Sequence, residues 1–183
     1  MKDKRIIAGV DGGGSSTTVA LVDESCHLLG IAKGGPSRLG TVESKKAGKE
    51  ITKILNLALS KTSYEKNDIK AIGYGFGGLD SRKDQKRARE IAEKVVPNIT
   101  KVIDSDALTG LLSGTFGKPG LAIIAGTGAL LMGINDENQR GRVDGWGHLF
   151  GDLGSAYYLG REAIKASLED YDGRGEKTKL RKM

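Results

Sequence analysis

The feature that most constrains the fold is a glycine- and hydroxyl-rich stretch between two short apolar segments. Residues 6–10 and 19–22 are almost wholly apolar. The stretch between them reads Asp11-Gly12-Gly13-Gly14-Ser15-Ser16-Thr17-Thr18. Two strands joined in this way predict a β-hairpin, and glycine lets the backbone N–H groups turn towards one anion. The stretch therefore predicts a phosphate-binding hairpin, with a glycine-rich turn that binds nothing as the alternative.

A second stretch of the same kind supports this interpretation. Residues 125–129 read Ala125-Gly126-Thr127-Gly128-Ala129 and lie between two further apolar segments. Two such units in one chain predict two hairpins that contact one polyphosphate from opposite sides. Asp11 ends the strand before the first hairpin, where a carboxylate can hold Mg²⁺ or its water shell. The alternative for Asp11 is a turn-capping residue.

Composition narrows the class of protein. The chain has 183 residues, 38% hydrophobic and 28% charged, as in soluble globular proteins. No apolar segment approaches the roughly 20 residues that span a bilayer, and the charged start does not resemble a signal peptide. One cysteine and two histidines argue against a disulfide framework or a zinc site. The cytoplasm is therefore the expected compartment, with no membrane partner.

The net charge of +6 raises the question of nucleic-acid binding. Aromatic residues make up only 5% of the chain, and they do not alternate with the basic residues. Proteins that bind single strands combine basic and aromatic side chains along a groove. Nucleic acid is therefore not an expected partner.

The order of periodic segments predicts the fold class. Strands are predicted at residues 5–11, 16–23, 27–33, 69–76 and 100–103, and a second hairpin is predicted at residues 121–134. Helices are predicted at residues 43–61, after Asp80 as far as about Pro97, at residues 106–112 and at residues 155–169. Residues 135–140 predict a polar turn, and residues 144–154 predict a glycine-rich loop. Three antiparallel strands followed by alternating strands and helices indicate an α/β domain with a mixed sheet.

A third block makes the chain recognisable. It reads Gly145-Trp146-Gly147-His148-Leu149-Phe150-Gly151-Asp152-Leu153-Gly154-Ser155 and follows the two glycine-rich hairpins. Over residues 6–177 the chain resembles N-acetylglucosamine kinases and the BadF/BadG/BcrA/BcrD-type ATPase family, in the actin-like ATPase and sugar-kinase superfamily. The resemblance implies a ribonuclease-H-like domain with a mixed five-stranded sheet flanked by helices.

The resemblance also implies roles for particular residues. The family's two phosphate-binding loops match a set that would bind ATP: Gly12, Gly13, Gly14, Ser15, Ser16, Thr17, Gly126, Thr127 and Gly128. Asp106 matches the family's general base, which accepts the proton of the sugar hydroxyl as that oxygen attacks the γ-phosphorus. The alternatives are that Asp106 is the N-cap of the next helix and that Asp104 is the base.

Sugar recognition in the family draws on segments that match residues 35–38, 77–80 and 145–155. Substrate contacts are accordingly predicted for Ser37, Arg38, Gly78, Asp80, Gly145, Trp146 and Asp152. Two positions depart from the family pattern, since Arg38 replaces the usual Asn and Leu153 replaces a usually acidic residue. A guanidinium pairs well with a carboxylate or phosphate, so Arg38 favours an anionic substrate.

The resemblance implies that residues 1–154 form the N-terminal lobe. Residues 155–183 would be a connecting helix and the start of a second lobe. In the family this second lobe carries the adenosine pocket and closes the cleft, so the missing C-terminal lobe, or a complementary chain, is an expected partner. Without it the chain is expected to transfer phosphate poorly.

The expected function is ATP- and Mg²⁺-dependent phosphorylation of N-acetylglucosamine or a related hexose. One alternative is an ATPase that activates a CoA-thioester reductase or dehydratase, although Cys26 is poorly placed for the cluster that such activators bind. Another is a non-catalytic sugar-sensing module, although no helix-turn-helix accompanies it. Whether two copies form a homodimer stays open.

Overall fold

Two units, Met1–Gly110 and Leu111–Met183, make up the computed structural model, which describes residues 5–182. The lobe boundary expected at residue 154 stays a prediction. In the described range, every helix is too short or too polar to cross a membrane.

The first unit is built on a mixed sheet with the strand order β3-β2-β1-β4-β5. The strands are β1 (Ile6–Gly12), β2 (Thr17–Asp23), β3 (Leu28–Gly34), β4 (Ile69–Phe76) and β5 (Thr100–Ser105). Strands β1, β2 and β3 are antiparallel neighbours, whereas β1, β4 and β5 are parallel. The predicted α/β class and five-stranded mixed sheet are confirmed.

Two helices cover one face of this sheet. Helix α1 (Ser44–Leu59) contacts β2, β3 and helix α2 (Arg82–Val95), and α2 contacts β5. Their buried residues are Ala47, Ile51, Ile54, Leu55, Ala58, Leu59, Ala88, Ile91, Ala92 and Val95. Helix α2 begins after Ser81, because the Ser81 hydroxyl accepts the Asp84 N–H at 3.2 Å. Burial of each large aliphatic side chain contributes about 1.5–3 kcal/mol to the stability of the fold. The two helices therefore hold this sheet in place.

The opposite face of the sheet carries the start of helix α3 (Asp106–Thr115). The neighbours of Gly75 along β4 are buried in the core, so Gly75 faces the other side. A Cβ at Gly75 would collide with the Thr109 hydroxyl and come within 3.4 Å of the Asp106 Cα. The missing side chain at Gly75 therefore allows α3 to begin directly on the sheet.

Three parallel strands of the first unit end at one edge. Asp11 lies opposite Gly75 on the neighbouring strand, and Gly75 lies opposite Asp104 on the next. Because these strands run in the same direction, the segments that follow them meet at their carboxyl ends. That edge carries the first glycine-rich hairpin, the loop after β4 and the start of α3.

The second unit contains a three-stranded antiparallel sheet and a long helix. The strands are β6 (Gly120–Ala125), β7 (Ala129–Ile134) and β8 (Arg140–Asp144), and the helix is α4 (Ala156–Asp172). Helix α4 begins at Ser155, whose hydroxyl accepts the Tyr158 N–H at 3.0 Å, and ends at Gly173, with a φ of 72°. Short 3₁₀ turns lie at Lys66–Asp68 and Lys179–Lys182.

Strand β8 corrects the prediction of only a polar turn and a loop after β7. The turn is present, since the Asn135 side-chain oxygen accepts the N–H groups of Glu137 and Gln139. It returns the chain so that Arg140 pairs with Ile134. Strand β8 is exposed along most of its length, so backbone pairing and not an alternating apolar pattern defines it.

Replacing Gly75 with alanine should destabilise the first unit by about 1–3 kcal/mol, because the added methyl group forces α3 away from β4. Urea denaturation followed by circular dichroism measures the change. Gly73→Ala is the matched control, since a Cβ there meets nothing within 4 Å. Equal stability of the two variants would contradict this account of Gly75.

Candidate active site

The first glycine-rich stretch forms the loop between β1 and β2, as predicted. Inside this loop the Gly13 N–H donates to the Ser16 carbonyl at 3.0 Å. Within residues 5–182, no acceptor is found for the backbone N–H groups of Gly14, Ser15 and Ser16. Consecutive unpaired N–H groups at a turn can bind an anion.

A buried hydroxyl pair joins the base of this hairpin to the loop after β3. Thr17 and Ser37 are fully buried, and the Thr17 hydroxyl donates to Ser37 Oγ at 2.7 Å. A Cβ at Gly12 would lie 2.7 Å from Ser37 Oγ, so glycine is required for this approach. The structure thus brings together Thr17 and Ser37, for which we predict contacts with phosphate and substrate. Those ligand contacts stay predictions.

The loop after β3 is fixed between the hairpin and the loop after β4. The N–H groups of Ser37 and Arg38 both donate to the Gly13 carbonyl, each at 3.1 Å. The Leu39 N–H donates to the Gly77 carbonyl at 2.9 Å. Arg38 is therefore held at the same sheet edge as the hairpin.

Two carboxylates, Asp11 and Asp106, lie at this edge. Partial burial raises the pKa of Asp11 above its ordinary value, the negative charge of Asp106 raises it further, and the positive charge of Lys33 partly offsets both. A neighbouring carboxylate disfavours ionisation when it is close. The edge therefore concentrates negative charge beside the hairpin.

Asp106 is the first residue of α3, and Ser105 is the residue that caps this helix. The Leu108 N–H donates to Ser105 Oγ at 3.2 Å. The Asp106 Oδ1 atom accepts the Ala107 N–H at 2.8 Å, and Oδ2 lies 2.9 Å from the position that a Cβ would take at Gly77. Ser105 therefore fills the capping role. One oxygen of Asp106 faces the loop after β4.

The remaining predicted residues of the first unit surround the same edge. Asp104 belongs to β5, and its Oδ1 atom accepts the Ser105 N–H at 2.8 Å. Gly78 has a φ of 76°, and a Cβ there would lie 2.5 Å from the Leu39 carbonyl oxygen, so glycine is required. Asp80 is exposed two residues further along this loop.

In the second unit, Gly126, Thr127 and Gly128 form the loop between β6 and β7. The Gly126 N–H donates to the Gly128 carbonyl at 2.8 Å, and the Gly126 carbonyl accepts the Ala156 N–H at 2.8 Å. Asp152 Oδ2 lies 3.0 Å from the position that a Cβ would take at Gly128. This unit thus places Asp152 and the start of α4 beside its glycine loop, and helix N-termini favour anions.

Gly145 and Trp146 begin the loop between β8 and α4. Gly145 has a φ of 78°, which glycine adopts without strain. Trp146 is 75% exposed, and the Arg142 guanidinium lies 5.9 Å from the centroid of its ring. The Trp146 ring is therefore accessible for stacking.

Comparison with known proteins identifies the family. The family model described as the BadF/BadG/BcrA/BcrD ATPase family matches residues 8–183. The chain belongs to this family. The resemblance based on the two hairpins and the third block is thereby confirmed.

Three relatives of this family member indicate the kind of protein it is similar to. A Clostridium acetobutylicum N-acetylmuramic acid/N-acetylglucosamine kinase is 31% identical over 96% of this chain and 58% of its own. A Dictyostelium discoideum N-acetyl-D-glucosamine kinase is 33% identical over 97% of this chain and 58% of its own. A solved structure of a candidate N-acetylglucosamine kinase from Chromobacterium violaceum is 27% identical, with a TM-score of 0.80 over 97% of this chain and 62% of its own. The chain spans about 58% of the length of the curated relatives it matches.

Asp144 is a structural residue of the site that sequence reasoning missed. Its Oδ1 atom accepts the N–H groups of Gly145 and Asp152, each at 2.7 Å, and its Oδ2 atom accepts the Leu153 N–H at 2.9 Å. These bonds, the one from Asp152 first, lower the pKa of Asp144 below its ordinary value. The available signal was an aspartate directly before glycine, a pattern typical of turns that use the side chain as acceptor. Asp144 therefore closes the loop between β8 and α4.

The residues of the first unit fit Mg²⁺, the metal that this kind of site implies. Asp11 offers hard oxygen donors, and its pKa is raised first by partial burial and then by the negative charge of Asp106, which Lys33 partly offsets. Over the described residues no group of three or more His, Cys, Asp or Glu side chains could hold a metal ion. Mg²⁺ needs no such group, because it commonly uses one or two carboxylates together with water and phosphate oxygens.

Replacing Asp11 with asparagine should raise the melting temperature at pH 7 by about 1–3 °C. The folded protein carries the charge of Asp11 at a cost, because its pKa is above the ordinary value. This electrostatic cost acts at pH values above the folded-state pKa of Asp11 and disappears at pH values below its ordinary pKa. The gain in melting temperature should therefore shrink as the pH approaches 4. Differential scanning fluorimetry measures it.

Glu90→Gln is the control for this variant, since Glu90 is exposed on α2 and the substitution likewise removes one carboxylate. Its melting temperature should differ little from that of the parent protein at every pH. A lower melting temperature for Asp11→Asn at pH 7 would refute the electrostatic account of the edge.

Replacing Asp144 with asparagine should speed amide hydrogen exchange at Asp152 and Leu153 by roughly tenfold, because a neutral amide cannot accept all three N–H groups. Asparagine tolerates the φ of 66° at this position, so the variant tests the charge and not the backbone. In the parent protein, the depressed pKa means that the loop should keep its order until the pH falls below about 4.

Hydrogen exchange detected by NMR at neutral and acidic pH measures both effects. Asp136→Asn is the control, since Asp136 is exposed in the turn before β8. Unchanged exchange in Asp144→Asn would mean that the loop is held by something else.

Proposed function

We propose that the protein catalyses transfer of the γ-phosphoryl group of ATP to a sugar hydroxyl, with Asp106 as the general base. The observation that carries this proposal is the position of Asp106 at the start of α3. Its Oδ2 atom faces the loop after β4, at the sheet edge that also carries the glycine hairpin. A carboxylate there can accept the proton of the attacking hydroxyl as the O–P bond forms.

The glycine loop of each unit is proposed to bind phosphate. In the first unit, the support is the set of unpaired backbone N–H groups at Gly14, Ser15 and Ser16. In the second unit, the loop at residues 126–128 lies beside the start of α4. Asp11 is proposed to hold Mg²⁺, which neutralises charge on the phosphate oxygens when bound. The protein is proposed to act in the cytoplasm.

The sugar is proposed to be N-acetylglucosamine or a related hexose. This proposal rests on the names of the two curated relatives, which act on amino sugars. Ser37, Arg38, Gly78 and Asp80 are the proposed contacts in the first unit, and Gly145, Trp146 and Asp152 those in the second. Hydrogen bonds to buried substrate hydroxyls discriminate strongly, because a missing partner leaves a polar group unpaired.

The adenosine site is proposed to lie outside residues 5–182. The curated relatives are longer than the segment they share with this chain. We propose that a second lobe, on the same or a complementary chain, binds the nucleoside and closes over the reacting groups. Closure of this kind excludes water and aligns the hydroxyl with the phosphorus.

Replacing Asp106 with asparagine should lower kcat by about 10²–10⁴-fold with little change in the KM for the sugar, since asparagine keeps the shape but cannot accept the proton. Sugar-dependent ADP release measures kcat and KM for the parent protein and for Asp106→Asn. Mass spectrometry identifies the phosphorylated product. Glu90→Gln serves as control and should keep the parent rate. A parent-like rate for Asp106→Asn would reject the assignment of the base. ATP hydrolysis that needs a partner enzyme but no sugar would instead favour the activator alternative.

A further inference from the structure

Lys33 lies on the same face of the first sheet as Asp11, two strands away. Asp11 on β1 pairs with Thr18 on β2, and Thr18 pairs with Lys33 on β3. Side chains of residues directly opposite each other share one face of a sheet. The residues that alternate with these three belong to the core under the helices: Val10, Val19 and Ala32. Asp11, Thr18 and Lys33 therefore form a row on the face opposite α1 and α2.

The Lys33 ammonium acts on the charge of Asp11 across the intervening strand. Neighbouring strands lie about 4.8 Å apart, so about 10 Å separates the backbones of β3 and β1. The ammonium of a lysine is carried on a flexible four-carbon stem, which extends over much of this distance. Partial burial and the charge of Asp106 raise the pKa of Asp11, and the positive charge of Lys33 lowers it. Lys33 and Asp11 are therefore close enough for their charges to interact.

The Lys33 ammonium is available to a ligand. Strands β4 and β5 of the same sheet each contain one lysine, and both of those lysines have a partner. Lys70 Nζ donates to the Asn67 carbonyl at 3.4 Å, and Lys101 Nζ pairs with Glu93 Oε2 at 2.7 Å. Within the part of the chain that the structure describes, Lys33 is exposed and makes no hydrogen bond and no contact ion pair. Its three N–H donors can therefore bind an oxyanion.

The charges along this edge are separated by sign. Lys33 lies on the β3 side of Asp11. Asp106 lies on the other side, since the position that a Cβ would take at Gly75 of β4 is 3.4 Å from the Asp106 Cα. The unpaired N–H groups of the glycine hairpin lie between β1 and β2, on the same side as Lys33. A phosphate is therefore attracted by the hairpin and by Lys33, and repelled by Asp106.

We propose that Lys33 binds the phosphate chain of ATP together with the glycine hairpin. The inference rests on the proposed kinase function and adds a residue that determines on which side of Asp11 the phosphates lie. An anionic group on the sugar is the other source of an oxyanion at this edge. ATP is favoured, because the proposed base contacts the reacting hydroxyl of the sugar, and Asp106 lies on the side of Asp11 away from Lys33.

The test measures the binding of tripolyphosphate, which carries the charged chain without adenosine, by calorimetric titration in the absence of Mg²⁺. Replacing Lys33 with glutamine should raise the Kd by about 10–50-fold, as expected for loss of a charged hydrogen bond. Lys33→Arg should keep most of the affinity, because it keeps the charge. In the kinase assay, Lys33→Gln should raise the KM for ATP, while the KM for N-acetylglucosamine stays unchanged.

Lys53→Gln is the matched control, since Lys53 is exposed on α1 and the substitution removes the same charge. The melting temperature shows whether each variant is folded. A second comparison separates direct binding from an effect through Asp11. In the Asp11→Asn background, Lys33→Gln should still weaken tripolyphosphate binding by a similar factor.

Four results would overturn the inference. They are a loss that disappears in the Asp11→Asn background, an equal loss in Lys53→Gln, a raised KM for the sugar in place of ATP, and a parent protein that does not bind tripolyphosphate. A parent protein that binds tripolyphosphate but phosphorylates no sugar would count against the kinase function and leave the role of Lys33 intact.

Discussion

The register of the three parallel strands is the constraint on which the candidate site depends. Asp11, Gly75 and Asp104 lie side by side on β1, β4 and β5, so the segments that follow these strands share one edge. The absent side chain at Gly75 then allows α3 to begin against the sheet with Asp106 as its first residue. A shift of one residue in either pairing would move Asp106 away from Asp11 and the hairpin, since side chains alternate between faces.

This arrangement places like charges close together at a cost to stability. The pKa of Asp11 is raised by its partial burial and by Asp106, and Lys33 offsets only part of the effect. Natural sites accept such a cost where the charge is needed for binding or catalysis. Bound Mg²⁺ and the sugar hydroxyl proton would each relieve part of the repulsion. The carboxylate edge is therefore an unfavourable arrangement that its proposed ligands would stabilise.

The sequence was sufficient to predict most of the fold and only part of the site. Regularly spaced apolar residues and glycine-rich stretches predicted the sheet of the first unit and both hairpins. These features can be recognised because side-chain burial and turn geometry leave local patterns in the sequence. Strand β8 was not predicted, since it is defined by pairing with β7 and has no alternating pattern. Asp144 and the capping role of Ser105 depend on which N–H groups the folded chain brings near, and a linear pattern does not contain that information.

Two of the glycine-rich segments, the hairpin after β1 and the loop after β8, use their backbone N–H groups in opposite ways. In the first hairpin, the N–H groups of Gly14, Ser15 and Ser16 have no acceptor within the described chain and can bind an oxyanion. In the loop after β8, the Asp144 carboxylate already accepts the N–H groups of Gly145, Asp152 and Leu153. An incoming phosphate would have to displace a carboxylate whose pKa is lowered by those same bonds. These three backbone N–H groups are therefore used within the loop itself, and the proposed contacts of Trp146 and Asp152 would be made by their side chains.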